Sequence, residues 1–115
     1  MARERYVVVG ILEPTMDGAL LLFQLPEGSP SLAHHRFRRR VYGEWTSSWG
    51  GRYRYWRKGI LDRVAHVRLQ SGAILVRAED AGRVGRAIRV AGGRVLYRVV
   101  RLTLADLKVL KEPVG

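Results

Sequence analysis

The residues whose types and spacing carry a chemistry lie in two groups. Arg36, Arg38, Arg39 and Arg40 form the first, and Arg52, Tyr53, Arg54, Tyr55, Trp56, Arg57 and Lys58 form the second. Guanidinium and ammonium groups neutralise phosphates, and flat rings between them offer faces for stacking on bases. The chemistry is that of a nucleic-acid surface. Both groups fall in His34–Lys58, which holds seven of the chain's ten aromatic residues and eight of its basic residues against one acid, Glu44.

Other chemistries find little support. Cysteine is absent, which removes disulfides and thiolates. His34 and His35 have no carboxylate or further histidine at i+3 or i+4, and these two and His66 read as surface histidines near phosphate, so a metal site is not expected and the expected cofactor set is empty. Glu79 and Asp80 read as acids at a helix start, where the dipole favours them, and not as magnesium ligands of a nuclease. No nucleophile triad or P-loop is present. Gly82-Arg83-Val84-Gly85 resembles the loop of a KH domain but falls inside a helical apolar stripe. No catalytic residue is assigned.

The whole chain has a net charge of +11, and 18 of its 21 basic residues are arginine. A GC-rich genome inflates arginine, but the acids are not raised to match, and the excess points to an anionic partner. At 115 residues and 47% apolar content the expectation is one globular domain, 1–115. The apolar run Tyr6–Leu12 is too short for a secretory core, and no run approaches a membrane span. The expected setting is cytoplasmic.

The elements that must position the basic and aromatic residues follow from local pattern. Residues 5–12 read as a buried strand, 13–18 as a turn and 19–25 as an extended piece returning against the first. Ser29 suits an N-cap and Pro30 the first helical position, which predicts a helix over 30–46. Its apolar stripe is Ala33, Phe37, Val41 and Trp45, with Arg36, Arg39 and Arg40 outward. Residues 52–58 alternate charge and ring. Tyr53 and Tyr55 share one face, with Arg52, Arg54 and Trp56 on the other, as an exposed strand or ordered loop. Base stacking by these rings competes with a protein interface as their reading.

Residues 60–70 read as a strand, Ser71-Gly72 as a hairpin turn and 73–77 as a central strand. Ala81, Val84, Ile88 and Ala91 define a helix over 80–91, stopped by Gly92-Gly93, with Arg83, Arg86 and Arg89 as a second basic row. Residues 94–102 form the last strand. The change of parity at Val100 and Leu102 suggests a bulge or a change of layer. Thr103 and Asp106 have capping-box spacing, which predicts a short helix to about residue 111. The resulting fold class is α+β: a ferredoxin-like or RRM-like two-layer sandwich, a mainly antiparallel sheet with two helices on one face and the other face open to a partner.

In this order the chain resembles the small α/β-sandwich subunit of archaeal and eukaryotic ribonuclease P, the Pop-five family. The similarity lies in RERYVVVGIL at the start, VYGEW at 41–45, SGAILVRAEDAGRVGRAI at 71–88 and RVLYRVVRLT near the end. The resemblance implies a protein without catalytic side chains that stabilises a catalytic RNA. That RNA removes the 5′ leader of precursor tRNA with magnesium ions bound on the RNA. It also implies pairing with a TIM-barrel protein subunit. The alternative is a structural RNA-binding protein of another ribonucleoprotein, such as a ribosomal protein. A duplex-DNA architectural protein, wedging Trp49 or Trp56 between base steps, is a third reading.

Overall fold

The computed structural model describes residues 16–110. The strand expected at residues 5–12 lies outside them. Ten elements follow in order: β1 (Met16–Gln24), α1 (Ser31–Tyr42), β2 (Glu44–Ser48), β3 (Tyr53–Arg57), a 3-10 turn (Ile60–Arg63), β4 (Val67–Gln70), β5 (Ala73–Arg77), α2 (Ala78–Val90), β6 (Arg94–Leu102) and α3 (Leu104–Leu110).

Four strands make an antiparallel sheet in the order β4-β5-β1-β6, and β2 and β3 form a separate hairpin. Among the four sheet strands that order is second, third, first, fourth in the chain. This is the ferredoxin-like arrangement of an α+β two-layer sandwich, with the hairpin inserted in the first crossover. The extended piece expected at 19–25 is therefore β1, one of the two central strands. It begins at Met16, so Met16–Gly18, expected in a turn, are already paired, with Met16 opposite Leu102.

Alternation along β1 sends Ala19, Leu21 and Phe23 to the helical face. There they meet Phe37 and Val41 of α1, Val84 and Ile88 of α2, and Ile74 and Val76 of β5 in the main core. Phe23 and Phe37 meet edge to face with ring centroids 6.2 Å apart. Gly93 permits this approach, since a Cβ there would lie 2.7 Å from Phe37 Cζ.

Several boundaries differ from expectation. α1 begins at Ser31, with Pro30 extended at the cap position. The Ser29 hydroxyl donates to the Pro26 carbonyl at 2.6 Å and caps nothing. α1 stops at Tyr42, not residue 46, because Gly43 adopts φ +89. Trp45 thereby leaves the helical stripe for β2 and is exposed. Residues 60–66 are not strand. Asp62 Oδ2 accepts from the Gly59 N–H at 2.9 Å, which closes a 3-10 turn and drops Leu61 and Val64 into the main core. Strand pairing begins only at Val67, with an irregularity between Arg68 and Gln70.

β6 pairs with β1 over nine residues without a shift, so the parity change in its sequence is not a bulge. It marks a second core on the rear of the sheet, where Leu102 packs with Leu110, Ala65, Val100 and Leu107. α3 builds that core, so part of the face expected to stay open is covered. The predicted cap is present: the Thr103 N–H donates to Asp106 Oδ2 at 2.9 Å, and the Asp106 N–H to Thr103 Oγ1 at 3.2 Å. Among the described residues, no helix is long and apolar enough to cross a membrane.

Candidate nucleic-acid interface

The basic residues of α1 divide by helical geometry. Arg36, Arg39 and Arg40 sit at i, i+3 and i+4 and share a side of the helix. All three line a cleft of about 1040 Å³ between α1, α2, the 3-10 turn and the hairpin base. Arg38 is exposed but does not line it. Arg39 and Arg40 also lie in the last helical turn, where cations complement the dipole, so part of their role is structural.

The hairpin is held at its base, and among the described residues its main packing is between its own two strands. Gly43 and Gly59 face each other so closely that a Cβ on Gly59 would overlap the Gly43 nitrogen. A Cβ on Gly43 would lie 2.8 Å from Asp62 Oδ2. Trp56 is the second fastening, because its indole N–H donates to Asp62 Oδ2 at 2.8 Å. A third contact is the ion pair of Arg39 and Glu44 at 3.6 Å.

Register fixes the two faces of the hairpin. Trp45 lies opposite Trp56 and Ser47 opposite Arg54, while Glu44, Thr46 and Ser48 lie opposite Arg57, Tyr55 and Tyr53. The expected separation of Tyr53 and Tyr55 from Arg54 and Trp56 is thus observed. On the first face Trp45 and Trp56 meet edge to face at 5.6 Å, and the Arg54 guanidinium lies 4.9 Å from the Trp45 ring centroid. These three side chains are occupied with one another, and Trp56 also with Asp62. On the second face Tyr53 and Tyr55 are 57% and 46% exposed, and neither has a ring partner among the described residues. Arg52 falls in the connecting turn, beside Trp49, which is 79% exposed at φ +57.

All eleven residues singled out from sequence are exposed. The structure brings Arg36, Arg39, Arg40, Arg57 and Lys58 together around the cleft and continues the Arg57 face into Tyr55 and Tyr53. It leaves Arg38 aside and turns Arg54 and Trp56 to the opposite face. Arg63 of the 3-10 turn and Arg83 of α2 complete the cleft wall. Arg83 belongs to the second basic row, and Asp80 holds it at 2.9 Å. Arg63 carries no signal in the sequence, since its place depends on the turn that Asp62 closes. Gly82 and Gly85 are helical, as their position in an apolar stripe predicts. No group of three His, Asp or Glu side chains with metal-binding geometry occurs among the described residues.

Comparison of the chain with protein-family models, with curated proteins and with solved structures gives no match.

Proposed function

We propose that this protein is a non-catalytic RNA-binding subunit of a ribonucleoprotein, and that the ribonucleoprotein is ribonuclease P. One observation carries the RNA-binding part. Eleven exposed basic and aromatic residues run from α1 into the hairpin, with Glu44 as the one acid of the segment. Such a surface favours phosphates by charge and unpaired bases by stacking.

The assignment to ribonuclease P rests on the sequence resemblance of residues 3–12, 41–45, 71–88 and 94–103, supported by the shared α+β sandwich. In that role the protein stabilises the catalytic RNA and its precursor-tRNA complex in the cytoplasm, and magnesium belongs to the RNA. A TIM-barrel subunit is the proposed protein partner. β6 offers it a surface, with Leu96, Tyr97 and Val99 exposed along a strand paired only with β1 among the described residues.

Affinity purification of the tagged chain, followed by sequencing of the bound RNA, tests the reading. Recovery of ribonuclease P RNA with a TIM-barrel protein is expected. Recovery of intact ribosomal subunits reassigns the chain to the ribosome.

A further inference from the structure

The cleft between α1 and α2 has the make-up of a strand-binding channel. Its floor is apolar, with Leu25, Phe37, Ile60 and Val64, and its rim is cationic. Arg36, Arg40, Arg57 and Arg63 have no acid within ion-pair distance among the described residues. Arg39 and Arg83 are each paired with one carboxylate, and their side chains remain 48% and 58% exposed. A rim in which cations outnumber acids this far repels itself when empty and is relieved by an anion with several charges.

The mouth of the cleft opens onto one particular face of the hairpin. Arg57 lines the cleft, and Tyr55 and Tyr53 follow it at alternate positions of β3. Alternate residues of a strand are about 6.8 Å apart and point the same way. Bases of successive unstacked nucleotides therefore find two rings in line with the cleft. The opposite hairpin face does not continue the Arg57 side of the strand, and its Arg54, Trp45 and Trp56 are packed on one another.

From this arrangement we infer that the interhelical cleft holds the phosphodiester backbone of a single-stranded RNA segment, whose adjoining bases lie on Tyr55 and Tyr53. The inference rests on the RNA-binding reading above and sharpens it. The strand is gripped on the helical side of the sandwich, and the rear face of the sheet, with Leu20, Leu22 and Leu96, is not the RNA surface.

The test is fluorescence anisotropy of a labelled oligouridylate of about 20 nucleotides, longer than the site of one small domain, titrated with the full chain across a salt series. The cleft variant Arg36→Ala/Arg63→Ala is expected to make the slope of log K against log salt less steep by about 1.4, two phosphates at about 0.7 each. A second cleft pair, Arg40→Ala/Arg57→Ala, gives the same change. The pair Arg94→Ala/Arg98→Ala, which removes the same charge from exposed positions of β6 outside the cleft, leaves the slope near that of the parent. Parent slopes in both cleft variants, or an equal loss in the control pair, overturn the cleft assignment while leaving RNA binding in place. Equal competition by duplex RNA of the same length overturns the single-strand assignment. Failure of the parent chain to bind the oligonucleotide overturns both this inference and the proposed function.

Discussion

Trp56 and Asp62 are joined by a 2.8 Å hydrogen bond from the indole nitrogen to carboxylate Oδ2, and the same oxygen accepts the Gly59 N–H at 2.9 Å. One carboxylate oxygen thus closes the 3-10 turn and ties the hairpin to it. Asp62→Ala removes both bonds at a partly exposed site and is expected to lower stability by about 1–2 kcal/mol. Trp56→Phe removes only the indole bond and costs less. Hydrogen exchange at β2 and β3 amides is the discriminating readout, with faster exchange expected in the hairpin than in β1 and β5 for both variants.

Gly43 ends α1 and starts the hairpin at φ +89, with the Trp56 ring and Asp62 against its Cα. Gly43→Ala strains the backbone and collides with the anchor. The expected loss is about 2 kcal/mol or more, read by thermal or denaturant unfolding.

Gly82 and Gly85 behave oppositely. Among the described residues, a Cβ at Gly82 meets nothing within 4 Å, and at Gly85 its nearest neighbours are 3.8 and 3.9 Å away, an ordinary contact. Neither glycine is needed for close packing on the sheet. Gly82→Ala and Gly85→Ala are each expected to raise stability by about 0.5–1 kcal/mol through helix propensity. Unchanged or lowered denaturation midpoints would show that α2 needs the glycines for another reason.

The two hairpin faces make different predictions for binding. Tyr53→Ala and Tyr55→Ala are each expected to weaken RNA binding by about 1–3 kcal/mol if the ring carries a base. Trp45→Ala acts mainly on the Trp56 and Arg54 packing and is expected to affect RNA less than either tyrosine change. Unchanged RNA affinity in the tyrosine variants, with lost binding of a protein partner, makes the tyrosine face a protein interface.

Salt dependence gauges the electrostatic share. About five phosphates at about 0.7–0.9 each predict a log–log slope of roughly −3 to −5 for the intact protein. A flat response removes the electrostatic reading.

Much of this arrangement was legible in the sequence because the signals were local. The Thr103–Asp106 cap, the alternation of residues 53–57 and the stripe of α2 depend on neighbours within a few positions, and each is found. What was hidden depended on distant contacts. Trp45 keeps the four-residue spacing of Phe37 and Val41, and nothing in that spacing shows that Gly43 must turn against Trp56 and Asp62. Residues 60–66 have strand-like composition, yet one side-chain bond from Asp62 makes them a 3-10 turn and a buried connection. The even-numbered residues at the end of β6 looked irregular only because the core that receives them, under α3, lies on the other face of the sheet. The cleft was least visible of all. Its walls come from α1, Arg57, Arg63 and Arg83, which only the folded chain brings together.

The most direct measurement is ultraviolet crosslinking of the protein to bound single-stranded RNA, with the adducts mapped by mass spectrometry. Nucleotide adducts are predicted on Tyr53 and Tyr55 and on peptides lining the cleft from α1 and the 3-10 turn. Adducts confined to β1 and β6 on the rear of the sheet, or no adducts at all, would contradict the account.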